Sequence, residues 1–279
     1  MSGSGKLIIN AAITGIIPTR RNNPHVPVTE DQIVATARSV MDGGASMVHI
    51  HARDEEQLPS YEPERYVSIV NRIRQCCPGL IVCVSLSGRF VNDVELRAAP
   101  LACAPDMASL TLGSMNFPKH ASMNPPEAIC QLARLIYSAG AVPELEAFDT
   151  GFVNYSRYLI EKGVLRPPLF FNLFLGFPGT APMDLLSLGH MVSLLPSGSI
   201  WASAGIGRYQ LPANVMSIAS GGHVRVGLED NLHYDAAGTD LADNVRLVDR
   251  IVRIAREMGR EPASPEEARA IIGLGKAKD

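Results

Sequence analysis

The sequence lacks most of the features that place a chain quickly. No run of about eighteen uninterrupted apolar residues occurs in its 279 positions, so no transmembrane helix is expected. The start, "MSGSGKLIIN", has no basic segment leading into a long apolar one. No secretory signal is therefore expected, and residues 1–5 read as a flexible N-terminal tail. "SGSGK" falls short of a P-loop, because the glycine further back and the Ser or Thr after Lys6 are missing. Cysteine is scarce. The thiols of Cys76, Cys77, Cys83, Cys103 and Cys130 are odd in number and include no C-x-x-C. That fits reduced core thiols in a cytoplasmic protein and leaves any metal site to histidine and carboxylate. The formal charge is only −3, with no basic cluster beyond "TRR" and the arginines of the last helices, which argues against nucleic acid or an acidic membrane as partner. No repeat, low-complexity stretch or linker interrupts the chain, which reads as one domain over 1–279.

What is present is an alternation of two kinds of segment, in a composition of 46% apolar and 19% charged residues that can bury a sizeable core. Strand-like stretches are "KLIINAAIT" (6–14), "SMVHIHA" (46–52), "LIVCVSLS" (80–87), "MASLTL" (107–112), "VPELEAF" (142–148), "LFFNLFL" (169–175), "IWASAG" (200–205) and "HVRVGLE" (223–229). Helical patterns lie between them. Residues 28–44 open with Thr29 and Gln32 at capping-box spacing and close on glycines. Residues 63–76 and 125–140 have proline near the start and apolar residues at i, i+3, i+4; 184–195 and 241–259 behave likewise, and 264–273 opens with a second capping box at Ser264 and Glu267. The segments after the third, fifth and seventh strands are shorter or less regular. Eight such β units predict an α/β fold of the (β/α)8 TIM-barrel type. A doubly wound sheet would usually carry a Gly-rich phosphate turn after its first strand, where this chain has the Pro-rich "TGIIPTRRNNPHVPVT".

Alternate residues of a strand share a face. In the second strand Val48 and Ile50 then face the helices, and His49 and His51 face the barrel interior near its C-terminal end, where barrel active sites are built. In "GGHVRVGLEDN", His223, Arg225, Gly227 and Glu229 take one face, and Asp230 follows at the tip. Other strands also end in polar groups, among them Ser85 and Ser87, Ser109 and Thr111, Glu144 and Glu146, and Asn172. Two histidines from one strand and a carboxylate from another form a three-ligand set with an open position, which points to Zn2+ on His49, His51 and Glu229. The competing interpretation is a pair of hydrogen-bonded core histidines. Arg225 can bind a substrate carboxylate bidentately or form an internal ion pair with Glu144, Glu146 or Glu229.

"AAITG", "VHIHARD", "PDMASLTLGSMNF", "PELEAFD" and "GGHVRVGLEDN" together resemble the β-keto acid cleavage enzymes, over about residues 6–273. The resemblance implies a zinc-dependent barrel, a homotetramer, that converts a β-keto acid and acetyl-CoA into acetoacetate and a new acyl-CoA. It puts the metal on His49, His51 and Glu229, the base and its partner on Asp230 and Arg225, and the substrate carboxylate near Ser85, Gly88, Ser109 and Thr111. Asp230 as a cap or salt-bridge partner is the alternative. Members that take an amino-substituted acid carry a Glu after the "TG" of the first strand, and Ile17 stands there in this chain. An apolar group cannot pair an ammonium, so a tail other than a primary amine is expected. The tail would be neutral, anionic if Arg20 or Arg21 reaches the pocket, or quaternary ammonium if Trp201 or Tyr155 offers a ring face. The loops 113–125 and 176–184 are candidates for CoA contact. A metal-dependent lyase or aldolase without CoA, and a non-catalytic sensor of small acids, are the alternatives in function.

Overall fold

All eight apolar segments become strands of one closed parallel barrel, each paired with the next and the last with the first. The computed structural model describes residues 5–117 and 120–278. The barrel strands are β1 (Ile9–Ala12), β2 (Met47–Ile50), β3 (Ile81–Val84), β4 (Met107–Thr111), β5 (Val142–Ala147), β6 (Phe170–Leu175), β7 (Ile200–Gly205) and β8 (His223–Val226). The helices are α1 (Glu30–Asp42), α2 (Pro63–Cys76), α3 (Val94–Ala98), α4 (Pro126–Ser138), α5 (Thr150–Glu161), α6 (Leu185–Ser193), α7 (Gln210–Ala219), α8 (Asn244–Glu257) and α9 (Pro265–Ile272). The expected tail 1–5 falls on residues 1–4 outside the described residues, except for Gly5, whose carbonyl accepts the Glu261 amide.

Both expected capping boxes form, Thr29 with Gln32 and Ser264 with Glu267. The segment after β5 is more regular than its sequence suggested. Asp149 caps α5 by accepting from the amides of Gly151 and Phe152, and Phe152, Val153, Ser156 and Leu159 form its buried face. Outward strand residues such as Val48, Ile50, Val82, Val84 and Leu145 pack against Ile33, Ile69, Ile73, Leu132 and Ile136 of the helices. Each such fully buried side chain stabilises the fold by about 1.5–3 kcal/mol before entropy is counted.

Inside the barrel the layers differ in polarity. The lowest holds Ile8, Met47, Ile81, Cys83, Met107, Phe170 and Ala202, closed from below by Ala268 and Ile272 of α9. Above it, Asn10, His49, Glu144, Asn172 and Arg225 are buried together. A charged layer in a barrel core has to be satisfied internally, and this one lies directly beneath the C-terminal mouth.

The last strand is shorter than expected. β8 ends at Val226 instead of continuing to Glu229, because Gly227 adopts φ 153 and a Cβ there would lie 2.1 Å from the Ala12 carbonyl oxygen. The chain turns at that close approach. The amides of Asp230 and Asn231 reach back to the Gly227 carbonyl, and the Glu229 amide donates to Ala12. The turn cancels strand alternation, so the consecutive residues Glu229 and Asp230 both reach the mouth.

Candidate active site

Segments at the ends of all eight strands line one cavity of about 390 Å3 at the C-terminal mouth, including Ile17, His51, Ser85, Thr111, Glu146, Phe174, Gly207, Arg225, Glu229 and Asp230. His49 and His51 come from β2 as alternation predicts. Glu229 comes from the turn after β8, held there by Gly15 of the first loop: Gly15 has φ +72, and a Cβ on it would meet the Glu229 backbone at 2.9 Å. Arg53 ties the same loop down, donating to the carbonyls of Gly15 and Pro18.

One ligand atom each from His49, His51 and Glu229 lies within 4.8 Å of the others. His51 Nε2 is 3.2 Å from Glu229 Oε1, and His49 Nε2 is 3.8 Å from Glu229 Oε2. His49 Nε2 and Glu229 Oε2 are both buried without a hydrogen-bond partner. Unsatisfied buried polar atoms are costly, and two of them converging with a second imidazole match the donor set of a divalent cation. The tautomer is fixed from behind. Glu144 Oε2 accepts from His49 Nδ1 at 2.8 Å, which leaves the Nε2 lone pair facing Glu229. That is the carboxylate–histidine arrangement found behind metal ligands.

A second group, His49, Cys83 and Glu144, is also close enough to bind an ion. Its donors are already committed. Glu144 Oε1 accepts from Asn10 and Asn172 at 2.7 Å each, and Oε2 accepts from His49 and from the Cys83 thiol at 3.2 Å. Burial, and then the neighbouring Glu144 charge, hold that thiol protonated. The set opening on the cavity is therefore the better metal site.

Arg225 sits beneath the carboxylates and pairs with Glu229 at 2.8 Å and with Asp230 through Nε at 2.9 Å. The internal ion pair and the position at the mouth thus occur together. Burial pushes the Asp230 pKa up, against the pull of Arg225, so this carboxylate is a stronger base than an exposed one. Burial also opposes ionisation of Glu144, but His49 foremost and Arg225 overcome it and bring its pKa down to about 2. At His51 burial dominates and lowers the pKa, favouring the neutral imidazole a metal needs.

The predicted substrate residues divide. Ser85, Thr111 and Ile17 line the cavity, and Ile17 is 44% exposed. Gly88 and Ser109 stand behind its wall: Gly88 packs on the Arg97 guanidinium, and the Ser109 hydroxyl accepts the Leu86 amide. Arg20 and Arg21 are exposed and do not line this cavity; Arg20 borders a separate depression beside α1. Trp201 packs against Gly222 at the start of β7, and Tyr155 stacks on Tyr158 of α5, so neither offers the cavity a ring face. The loops considered for CoA supply Met115, Phe117, Ser122 and Phe177 to the wall; residues 118–119 lie outside the described residues. Sequence reasoning missed Arg89, whose only signal was a cation beside a glycine at a strand tip.

A closed parallel barrel with its titratable cluster at the C-terminal mouth defines a (β/α)8-barrel enzyme. The family model described as beta-keto acid cleavage enzyme matches residues 6–274, and the chain belongs to that family. A 3-keto-5-aminohexanoate cleavage enzyme of Acetoanaerobium sticklandii is 38% identical over 275 residues, covering 97% of this chain and 99% of that protein. A 3-oxoadipate:acetyl-CoA acetyltransferase of Cupriavidus necator is 37% identical over 270 residues, covering 96% and 94%. The complex of ObcA with oxaloacetate is similar in fold, with a TM-score of 0.76 at 21% identity over 90% of this chain and 68% of that one. Among the described residues, no helix is long and apolar enough to cross a membrane.

Proposed function

We propose that this chain, acting as one domain, exchanges the acyl groups of a β-keto acid and acetyl-CoA, with Zn2+ held by His49, His51 and Glu229. The convergence of the unpartnered His49 Nε2 and Glu229 Oε2 on His51 carries this proposal. In the balanced reaction, R–CO–CH2–COO− and CH3CO–SCoA give R–CO–SCoA and CH3CO–CH2–COO−. A divalent ion bound there supplies Lewis acidity for a substrate oxygen, which stabilises enolate charge.

The chain's own residues do the rest. Asp230 takes the proton from the carbon between the two carbonyl groups, its basicity raised by burial and its carboxylate fixed by Arg225. The nucleophilic carbon then attacks the acetyl thioester, CoA leaves as thiolate, and the thiolate attacks the original ketone. The old carbon–carbon bond breaks, and the proton returns from Asp230 to the acetoacetate carbon. Glu144 keeps His49 in one tautomer throughout. Phe148, Phe174 and Phe177 make the wall apolar, which strengthens each charge interaction inside it. Ser85 offers its hydroxyl to the substrate carboxylate from the cavity wall, Thr111 lines the wall beside it with its hydroxyl donated to Glu146 at 2.6 Å, and Gly88 and Ser109 shape the loop behind them. Ile17 on the wall disfavours a primary ammonium tail.

Five free thiols fit a reducing, cytoplasmic location, and a homotetramer is the assembly the family resemblance implies. The test is metal analysis of the purified chain followed by incubation with acetyl-CoA and a panel of β-keto acids, reading acyl-CoA by mass spectrometry. One zinc per chain with a new acyl-CoA is the expected result. Bound zinc with keto-acid breakdown independent of acetyl-CoA would instead make the chain a metal-dependent lyase.

A further inference from the structure

We propose that the keto acid taken by this site carries a second carboxylate at the end of its tail, and that Arg89 is the residue that reads it. The inference rests on the exchange reaction above and adds a substrate class to it. Arg89 follows Gly88 on the loop after β3 and lines the cavity. Its Nε is buried and has no hydrogen-bond partner, and among the described residues no carboxylate comes within ion-pair distance of its guanidinium. The contrast with Arg225 is informative. That guanidinium, in the same cavity, is engaged by Glu229 and Asp230, with Glu144 and Glu146 at 3.8 and 3.9 Å. Arg225 is ion-paired within the protein, although its Nη1 makes no hydrogen bond, whereas Arg89 has no carboxylate partner among the described residues.

The surroundings hold Arg89 ready. Its guanidinium carbon lies over the Phe117 ring, 3.7 Å from the centroid, and Phe117 is braced edge-on by Phe177 and Phe148. The ring contact restrains the guanidinium, and with no carboxylate of the protein on it the fork is available to a planar, bidentate partner, which a carboxylate is. Ile16, Ile17 and Leu232 contribute apolar wall to the same cavity, so a charge pair formed in it is less screened than one in open water. The same geometry disfavours cationic tails. Ile17 offers no counter-charge, and Arg89 already covers the Phe117 face.

Negative charge at Arg89 could come from three sources: the tail, the keto acid's own C1 carboxylate, and the phosphates of CoA. Two six-carbon acids separate them. 3-Oxoadipate ends in a carboxylate and 3-oxohexanoate in a methyl group. With zinc-loaded protein, we expect kcat/KM to favour 3-oxoadipate, and Arg89→Gln to shrink that ratio about tenfold or more, mostly through KM of the dicarboxylic acid. Arg89→Lys should restore part of the preference. An equal loss with both acids would mean that Arg89 meets the C1 carboxylate and would overturn the proposal. A rise in KM for acetyl-CoA with either acid would assign it to CoA phosphate and do the same, as would a wild-type preference for 3-oxohexanoate. Calorimetric binding of both acids without CoA keeps the question separate from the reaction. Absence of exchange with every acid would refute the exchange reading, and tighter binding of 3-oxoadipate that depends on Arg89 would still uphold the tail assignment.

Discussion

Replacing Glu144 by glutamine keeps the shape of a buried side chain while removing its charge and one of its two acceptor ends. The carboxylate accepts four hydrogen bonds, from Asn10 and Asn172 on Oε1 and from His49 and Cys83 on Oε2. An amide accepts at one end only. If its NH2 group takes the Oε2 place, it meets His49 Nδ1 donor to donor, and the imidazole escapes by moving its proton to Nε2. The lone pair aimed at Glu229 is then lost. If the NH2 group faces the asparagines instead, they can turn their unpartnered Oδ1 atoms toward it. His49 then keeps its tautomer but leans on a neutral acceptor. Loss of such a supporting partner costs about 10–100-fold in metal affinity, or about 1.4–2.7 kcal/mol, with the tautomer switch at the upper end. The fold should survive, because Arg225 retains Glu229 and Asp230. The stability loss should stay below the ~3–5 kcal/mol typical of stripping a buried charge of its only partner. Zinc competition against a chromophoric chelator, alongside urea denaturation, measures both quantities. A folded Glu144→Gln protein that binds zinc as tightly as the wild type would refute the role of Glu144 in orienting His49.

Asp230→Asn should lower turnover by about a hundredfold or more while zinc content stays at one per chain, as for loss of a general base; undiminished exchange would remove Asp230 from that role. Gly227→Ala should destabilise the fold by about 1–3 kcal/mol and loosen the metal, since the added Cβ meets the Ala12 carbonyl at 2.1 Å. An unchanged denaturation midpoint with full zinc would show that the turn does not need glycine. His223 sets an acid limit: burial, helped by Arg260, brings its pKa to about 3, and its neutral Nδ1 accepts the Ile8 amide. The unfolded chain, with histidine near 6.5, binds the proton more readily. Stability from this residue is therefore complete above about pH 6.5 and is lost as pH falls toward 3, on the order of 5 kcal/mol in total. The His223→Gln protein should lose less stability over that interval, and identical acid slopes for the two proteins would contradict this assignment.

The barrel was legible because its signals are local. Eight short apolar runs, prolines at helix starts and two capping boxes each depend on neighbours within a few residues, and the alternation of "VHIHA" placed both histidines correctly. The misplacements have long-range causes. β8 stops at Val226 because Gly227 approaches Ala12, more than two hundred positions earlier in the chain. Glu144 meets His49 only once strands three apart face each other across a closed barrel. Arg89 at the cavity could not be told from Arg20 or Arg21 by composition. Which loop folds inward is decided by contacts such as Arg53 on the Gly15 and Pro18 carbonyls.

Ile17 and Arg89 sit on the loops after β1 and β3, while the proposed metal donors belong to β2 and its end and to the turn after β8. The backbone of the first loop is pinned against Glu229 through Gly15, but the Ile17 side chain is free of that constraint. On the proposed assignment, side-chain changes at the rim alter which acid is accepted without touching the metal donors, so specificity and metal loading can vary independently.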